Sequence, residues 1–255
     1  MQYSKIHSHI ICYSAFKYAH TETLKEFLVS QELEAICKNL TEQSVVVLGW
    51  DGTMLRAIKE NYTKNLPFLW INLWNKWFLL NDKGYVTRNS TYKKEVFPIM
   101  ECDIVTQDKK YSDIFINEAN ISAGWWKMLE LWVELGKRNH FHVKGDGLLV
   151  VTPLWSTGYN TSLWWPIMAH STQNLSITPK AIWLPKSQQS IIINDNEVIQ
   201  LNNSWRCHSI EIYADWREIV KTEHETHITI IKSDMNLTLL IAKDYENIWD
   251  NKILG

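Results

Sequence analysis

Two apolar patterns divide the chain. Up to Phe97, short unbroken apolar runs alternate with stretches of helical period, and beyond it apolar runs succeed one another with only turns between them. In the first part, Lys5 to Tyr13 has the β-branched content of a strand. Thr23-x-x-Glu26 forms a capping box that opens a helix to about Leu40, with Leu24, Phe27, Leu28 and Leu33 on its inner face. Val45 to Leu48 is a continuous apolar run, the mark of a parallel strand covered on both faces, and a helix from Met54 to Asn61 follows it. Phe68 to Leu73 supplies the next strand, so the chain begins as a β-α-β-α unit whose loops gather at one sheet edge, where open α/β sheets bind ligands.

The second part predicts strands at Ile99 to Thr106, Ser112 to Ile121, Met128 to Leu135, Phe141 to Lys144 and Leu148 to Val151. Further strands are expected at Leu175 to Ile177, Ser190 to Ile193, Val198 to Leu201, Ser209 to Tyr213 and His227 to Lys232. This is the pattern of an all-β domain, with the border near Phe97-Pro98 resting on the change of pattern alone.

The length of 255 residues allows one large domain or two small ones, and we take two. A formal net charge of -2 gives no whole-chain field for nucleic acid or an anionic membrane, so phosphate binding must be local. Cys12, Cys37, Cys102 and Cys207 lack C-x-x-C spacing and read as reduced, mostly buried thiols. No apolar run approaches the roughly 18 residues of a membrane span, and the start of the chain lacks a signal-peptide pattern, which together predict a cytoplasmic protein. His224-x-x-His227 lacks the H-E-x-x-H arrangement and a helix, and His140-x-His142 has no third ligand, so both pairs read as exposed strand residues. G-x-x-x-x-G-K-[ST] is absent, and Gly145-x-Gly147 opens a strand instead of a helix, so neither a P-loop nor a Rossmann fingerprint is present.

Three apolar runs end in small polar residues: SVVVLGWDGTML from Ser44, DIFINEANISAG from Asp113 and GDGLLVVTPLWSTGYNTSLWWPI from Gly145. A buried strand cannot leave polar groups unpaired beside it, so Ser156, Thr157, Tyr159, Asn160 and Ser162 call for a polar ligand. In order and spacing the three stretches resemble the GGDGT loop, the NE pair and the GDG…TPxGSTAYxxSxGGP segment of the NAD kinases. WINLWNKWFLLND from Trp70 is similar to that family's xNxGxxGFL loop, and the resemblance covers about Ser44 to Glu218.

The resemblance implies a Rossmann-like α/β N-terminal domain with a parallel sheet, an all-β C-terminal domain, and a tail from about Asn236 that returns to the first. The domains would then be residues 1–98 with 236–255, and 99–235. It implies phosphorylation of the adenosine ribose 2′-hydroxyl of NAD by ATP with Mg2+, or by polyphosphate, in a homodimer or homotetramer. Asp51 takes the role of general base beside Gly52, while Asn117 and Glu118 bind adenosine. Thr157, Gly158, Tyr159, Asn160, Thr161 and Ser162 line the adenine and ribose pocket. Lys144 and Asp146 reach NAD at a subunit boundary, Ala181 falls at a contact position, and Phe78 borders the nicotinamide side. Asp51 also reads as a helix N-cap, Asn117-Glu118 as a polar turn, and Lys144 with Asp146 as a solvated turn. A lipid or sphingoid kinase with a similar GGDGT-type loop, and a module that holds NAD without turnover, are the competing functions.

One departure recurs. Trp50, Trp74, Trp77, Trp155, Trp164, Trp165 and Trp216 stand where the family pattern has glycine, and the chain carries 9 Gly and 14 Trp. Glycine serves positive φ and close backbone approach to phosphate, and an indole serves neither. Two explanations stay open: a stop codon reassigned to glycine but translated as tryptophan, or a genuinely tryptophan-rich protein.

Overall fold

The computed structural model describes residues 2–13, 21–72, 81–82, 86–124, 127–136, 139–155, 167–169, 171–183, 189–203 and 209–243. The chain divides into two compact units, Met1–Phe97 with Met235–Gly255, and Pro98–Asp234.

The first unit is α/β. It opens with a hairpin of β1 (Gln2–Ile6) and β2 (His9–Tyr13), paired antiparallel through a turn in which His7 takes a φ of 53°. The single strand expected over Lys5 to Tyr13 is thus broken, and only its second half enters the parallel sheet. Helices α1 (Thr21–Leu28) and α2 (Gln31–Asn39) occupy the stretch expected to be one helix. Ser30 is the reason for the break: its hydroxyl donates to the Phe27 carbonyl at 2.7 Å and accepts from the Leu33 amide at 3.2 Å, so it ends one helix and caps the next. Then follow β3 (Val45–Leu48), α3 (Asp51–Asn61), β4 (Phe68–Asn72) and the short β5 (Asn81–Asp82). β2, β3, β4 and β5 pair parallel in that order. Every residue of β3 and β4 is buried, as the unbroken apolar runs require. Leu24, Phe27, Leu33 and Ile36 from the helices pack on Ile11, Val46, Leu48 and Leu69 from the strands.

The strands of the second unit pair antiparallel among its described residues, with a 3-10 turn at Pro153–Trp155. Strand β6 (Tyr92–Thr106) leads into it from the first unit, and β7 (Lys110–Phe115), β8 (Glu118–Ala123), β9 (Leu129–Leu135), β10 (Asn139–Gly145) and β11 (Gly147–Val151) follow. Next come β12 (Asn174–Lys180), β13 (Ile191–Asn194), β14 (Ile199–Asn203), β15 (Ile210–Ala214) and β16 (Arg217–Thr222). One sheet has the order β13-β12-β11-β8-β15-β16. In the other, β17 (Thr226–Ala242) pairs through its first half with β14, which pairs with β9, which pairs with β10. Leu148, Val150, Ile121 and Ile212 from the first sheet share one core with Leu131, Val133, Leu201 and Ile228 from the second.

Strand β17 then carries the chain back into the first unit, where Leu239 pairs parallel with Phe68 of β4. The return of the tail is therefore as the family resemblance implied. Cys12, Cys37 and Cys102 are buried free thiols, and Cys207 lies outside the described residues.

Replacing Ser30 by Ala removes both of its hydrogen bonds, and the expected loss is about 1 kcal/mol, typical of an N-cap. Urea denaturation should show a lower midpoint with an unchanged slope.

Candidate functional site

The first group of site residues begins where β3 ends. Gly49 has a φ of 148°, and a Cβ there would lie 2.7 Å from Thr53 Oγ1, so the position requires glycine. Its amide donates to the Ile71 carbonyl at 3.3 Å and its carbonyl accepts from the Trp70 indole at 3.0 Å, which ties the loop to β4. Trp50 is the N-cap of α3 and supplies no capping side-chain hydrogen bond; its carbonyl accepts the Thr53 and Met54 amides. The helix therefore starts at Asp51, three residues before the Met54 expected from the sequence. Asp51 sits in the first turn, where the amide ends favour negative charge, yet burial pushes its carboxyl up to about 6. Asn72, at the end of the adjacent strand, is buried as well.

The second group is the turn between β7 and β8. Asn117 and Glu118 are both buried there. Thr152, just beyond β11, holds the carbonyl side of the turn: its hydroxyl donates to Ile116 O at 2.5 Å and its amide to Asn117 O at 2.9 Å. Glu118 faces the buried Asp215. Burial first, and then the Asp215 charge, raise the Glu118 carboxyl to about 9, so it is a neutral acid near pH 7. Its Oε2 has no hydrogen-bond partner among the described residues. A buried oxygen of this kind fits a ligand hydroxyl or amide.

The third group lies at the other end of β8. Asp146 is exposed; its amide donates to Lys180 O at 3.1 Å and its carbonyl accepts from Ala123 at 2.9 Å. Lys144 O accepts from Trp183 at 2.8 Å, and Ala181 between them has a φ of 41°. Gly147 has a φ of 144°, with the Ile121 carbonyl only 2.1 Å from where a Cβ would be. The buried Lys180 donates to Asn120 Oδ1 at 2.6 Å and to Ser122 Oγ, and burial lowers its ammonium to about 8. Lys144, Asp146 and Ala181 are thus brought together. Asn117 and Glu118 stand apart from them, about 17 Å away along the six residues of β8.

No family model matches the chain. It is 26% identical over 253 residues to an NAD kinase of Clostridium beijerinckii, covering 94% of this chain and 88% of that one. It is 28% identical over 212 residues to an NAD kinase of Klebsiella pneumoniae, covering 78% and 71%. The chain is thus similar to NAD kinases over most of its length. Among solved structures, yeast NADH kinase complexed with NADH superposes with a TM-score of 0.72 at 17% identity, over 85% of this chain and 67% of that one. An Archaeoglobus fulgidus NAD kinase in complex with ATP gives 0.68 at 19% identity, over 95% and 97%.

Thr157, Gly158, Tyr159, Asn160, Thr161 and Ser162, with Phe78, Trp74, Trp77, Trp164 and Trp165, lie outside the described residues. Among the described residues no group of three or more His, Cys, Asp and Glu is placed to hold a metal ion. Sequence reasoning missed Thr152, Lys180 and Asp215, whose neighbours are distant in the chain; the signal for Asp215 was the turn-like ADWRE segment that contains it.

The structure separates the family's glycine positions by backbone. Trp50 has φ −91° and ψ −178°, extended backbone that any residue adopts, so the φ conflict that glycine would relieve is not at this position. Trp216 differs. Ala214 pairs with Arg217, and the two residues between them, Asp215 and Trp216, have φ of 46° and 66°. Positive φ at both central residues of a two-residue hairpin is the turn that favours Asp-Gly. The Trp216 ring is 62% exposed, so the strain is not offset by deep burial.

Replacing Trp216 by Gly should therefore stabilise the protein. Relief of the left-handed conformation is worth roughly 1–2 kcal/mol, against about 0.5–1 kcal/mol of extra unfolded-state freedom. The expected net gain is about 0.5–1 kcal/mol, read as a higher urea midpoint.

Proposed function

We propose that the chain is an NAD kinase, which transfers the γ-phosphoryl group of ATP, supplied with Mg2+, to the 2′-hydroxyl of the adenosine ribose of NAD and so makes NADP. The observation that carries this is Asp51, a carboxylate at the end of a buried parallel strand whose acidity burial shifts to about 6. Such a group is ionised at neutral pH and is a stronger base than an exposed aspartate. The NAD kinases to which the chain is similar, and the NADH and ATP in the two solved structures, support the same reaction.

In this reaction Asp51 accepts the proton of the 2′-hydroxyl as that oxygen attacks the γ-phosphorus, and ADP leaves. General-base catalysis supplies typically 10² to 10⁴ in rate. The backbone of the Gly49–Gly52 loop, at the positive end of α3, offers amides to phosphate oxygens. Asn117 reads the adenine edge with its amide. Glu118, held neutral, accepts from a ribose hydroxyl through one oxygen and donates through the other. Thr157, Gly158, Tyr159, Asn160, Thr161 and Ser162 are assigned to the same nucleoside. Lys144, Asp146 and Ala181, at the far end of β8, are assigned to the NAD of another copy in a homodimer or homotetramer. A lipid or sphingoid kinase is not favoured, because the similarity to an NAD kinase runs over 253 residues and not over the shared loop alone.

No helix among the described residues is long and apolar enough to cross a membrane, and we place the enzyme in the cytoplasm. We also hold to reassigned glycine codons as the origin of the tryptophans at the family's glycine positions, with Trp216 supplying the backbone argument. Peptide mass spectrometry of the protein from its own organism should find glycine at 216; tryptophan there would reject the reassignment.

The direct test is conversion of NAD to NADP, with ATP and Mg2+, by the purified protein carrying glycine in place of Trp50, Trp74, Trp77, Trp155, Trp164, Trp165 and Trp216, and no NADP under these conditions would overturn the assignment. In the active protein, kcat should fall tenfold per pH unit as acidity protonates Asp51 below about pH 6. Asp51→Asn should abolish that limb and lower kcat by about 10² to 10⁴ with little change in NAD affinity.

Asn117→Ala should weaken NAD binding by about 1–3 kcal/mol, the cost of a buried partner lost. Calorimetry should show a smaller effect on ATP. Equal losses for both nucleotides would mean that Asn117 does not read the NAD adenine.

A further inference from the structure

Asp215 is a buried carboxylate outside the three groups described above, and its surroundings define its work. Its Oδ1 accepts from the amides of Ile116 at 3.1 Å, Asn117 at 2.8 Å and Glu118 at 3.4 Å, and its Oδ2 accepts from Ile116 at 3.1 Å. Its own amide donates to the Glu118 carbonyl at 3.0 Å. Three consecutive amides converge on one side chain nearly a hundred residues away in the chain, while Thr152 holds the carbonyls of the same turn from the other side. Arg217 completes the arrangement: it donates to Ile114 O at 2.8 Å, and its Nη1 lies 3.7 Å from Asp215 Oδ2.

We propose that Asp215 is a positioning residue for NAD, fixing the Ile116–Glu118 backbone so that the Asn117 amide and the Glu118 carboxyl are presented at a set height and angle. A carboxylate suits this task because it accepts several N–H bonds at once, whereas a neutral amide would turn an N–H2 group toward some of the same donors. The type of turn matters too. Placing both Asp215 and Trp216 at positive φ aims the carboxylate back across β15 toward the β7–β8 turn. This inference rests on the assignment of Asn117 and Glu118 to the nucleoside.

The test uses Asp215→Asn in the full chain. Hydrogen exchange of the Ile116, Asn117 and Glu118 amides should accelerate by at least tenfold, and KM for NAD should rise by about tenfold or more while kcat falls less. A second readout separates positioning from general destabilisation. Among the described residues the charge that acts on Glu118 is Asp215 on the β15–β16 turn, which is paired to Arg217 on β16, itself paired to Asp113 on β7 at 3.4 Å. Removing the Asp215 charge eases ionisation of Glu118, so the alkaline rise in KM for NAD should move to lower pH. Unchanged amide exchange, or unchanged KM for NAD in a folded variant, would overturn the role. Should Asp215→Asn not fold, Thr152→Val loosens the same turn without altering charge. A raised KM for NAD with an unmoved alkaline limb would then support the role, and an unchanged KM would reject it. If the exchange result holds but the unaltered protein binds no NAD by calorimetry, the nucleoside assignment has failed and the backbone role has not.

Discussion

A buried carboxylate surrounded by backbone amides sets the geometry of the second unit at its most polar point. The β7–β8 turn buries a side-chain amide, Asn117, and a carboxyl, Glu118, at the edge of a dry core, and a turn in that place leaves several amides without strand partners. Asp215 accepts them, Thr152 donates to the carbonyls, and the turn becomes as fixed as the strands that flank it. The cost is visible next door: burial pushes Asp215 itself up to about 6 against the opposing pull of Arg217 and the amides, and its charge adds to the shift of Glu118. Polar groups at this edge are coupled, and none can be altered alone.

How much could be read from the sequence depended on how local the cause was. Val45–Leu48 has the same bounds in sequence and structure because burial on both faces writes an unbroken apolar run. The break at Ser30 was hidden because the helical period continues through it and only the hydroxyl, bonding in both directions, decides. The expected strand Ser112 to Ile121 is two strands, since Asn117 sits at a turn whose partners, Thr152 and Asp215, are far along the chain. β16 escaped notice because only Val220 among its residues is buried, so its pattern carries little apolar signal. Asp51 was legible from its strand-glycine-helix setting; the weakened acidity of Glu118 was not, because it comes from burial and a neighbour nearly a hundred residues away.

Backbone conformation, rather than side-chain bulk, separates Trp50 from Trp216. At Gly49 and Gly147 a Cβ would strike neighbouring atoms, and glycine is present. At Trp50 the backbone is extended and accepts any side chain, so conformation does not call for glycine there. At Trp216 the turn itself disfavours any residue but glycine, asparagine or aspartate.

The second unit is an insertion in the first, entered along β6 and left along β17, and this order matters while the chain is being made. Until β17 emerges, the Phe68 end of β4 has no partner in its place, and an unpaired apolar strand edge is a site for association with other chains. At ribosomal speeds of about 5–20 residues per second, the stretch Pro98–Asp234 takes on the order of ten seconds to appear. The nascent protein therefore passes through an interval in which its all-β unit can close upon itself while the parallel sheet of the first unit stands unfinished, until β17 arrives beside β4.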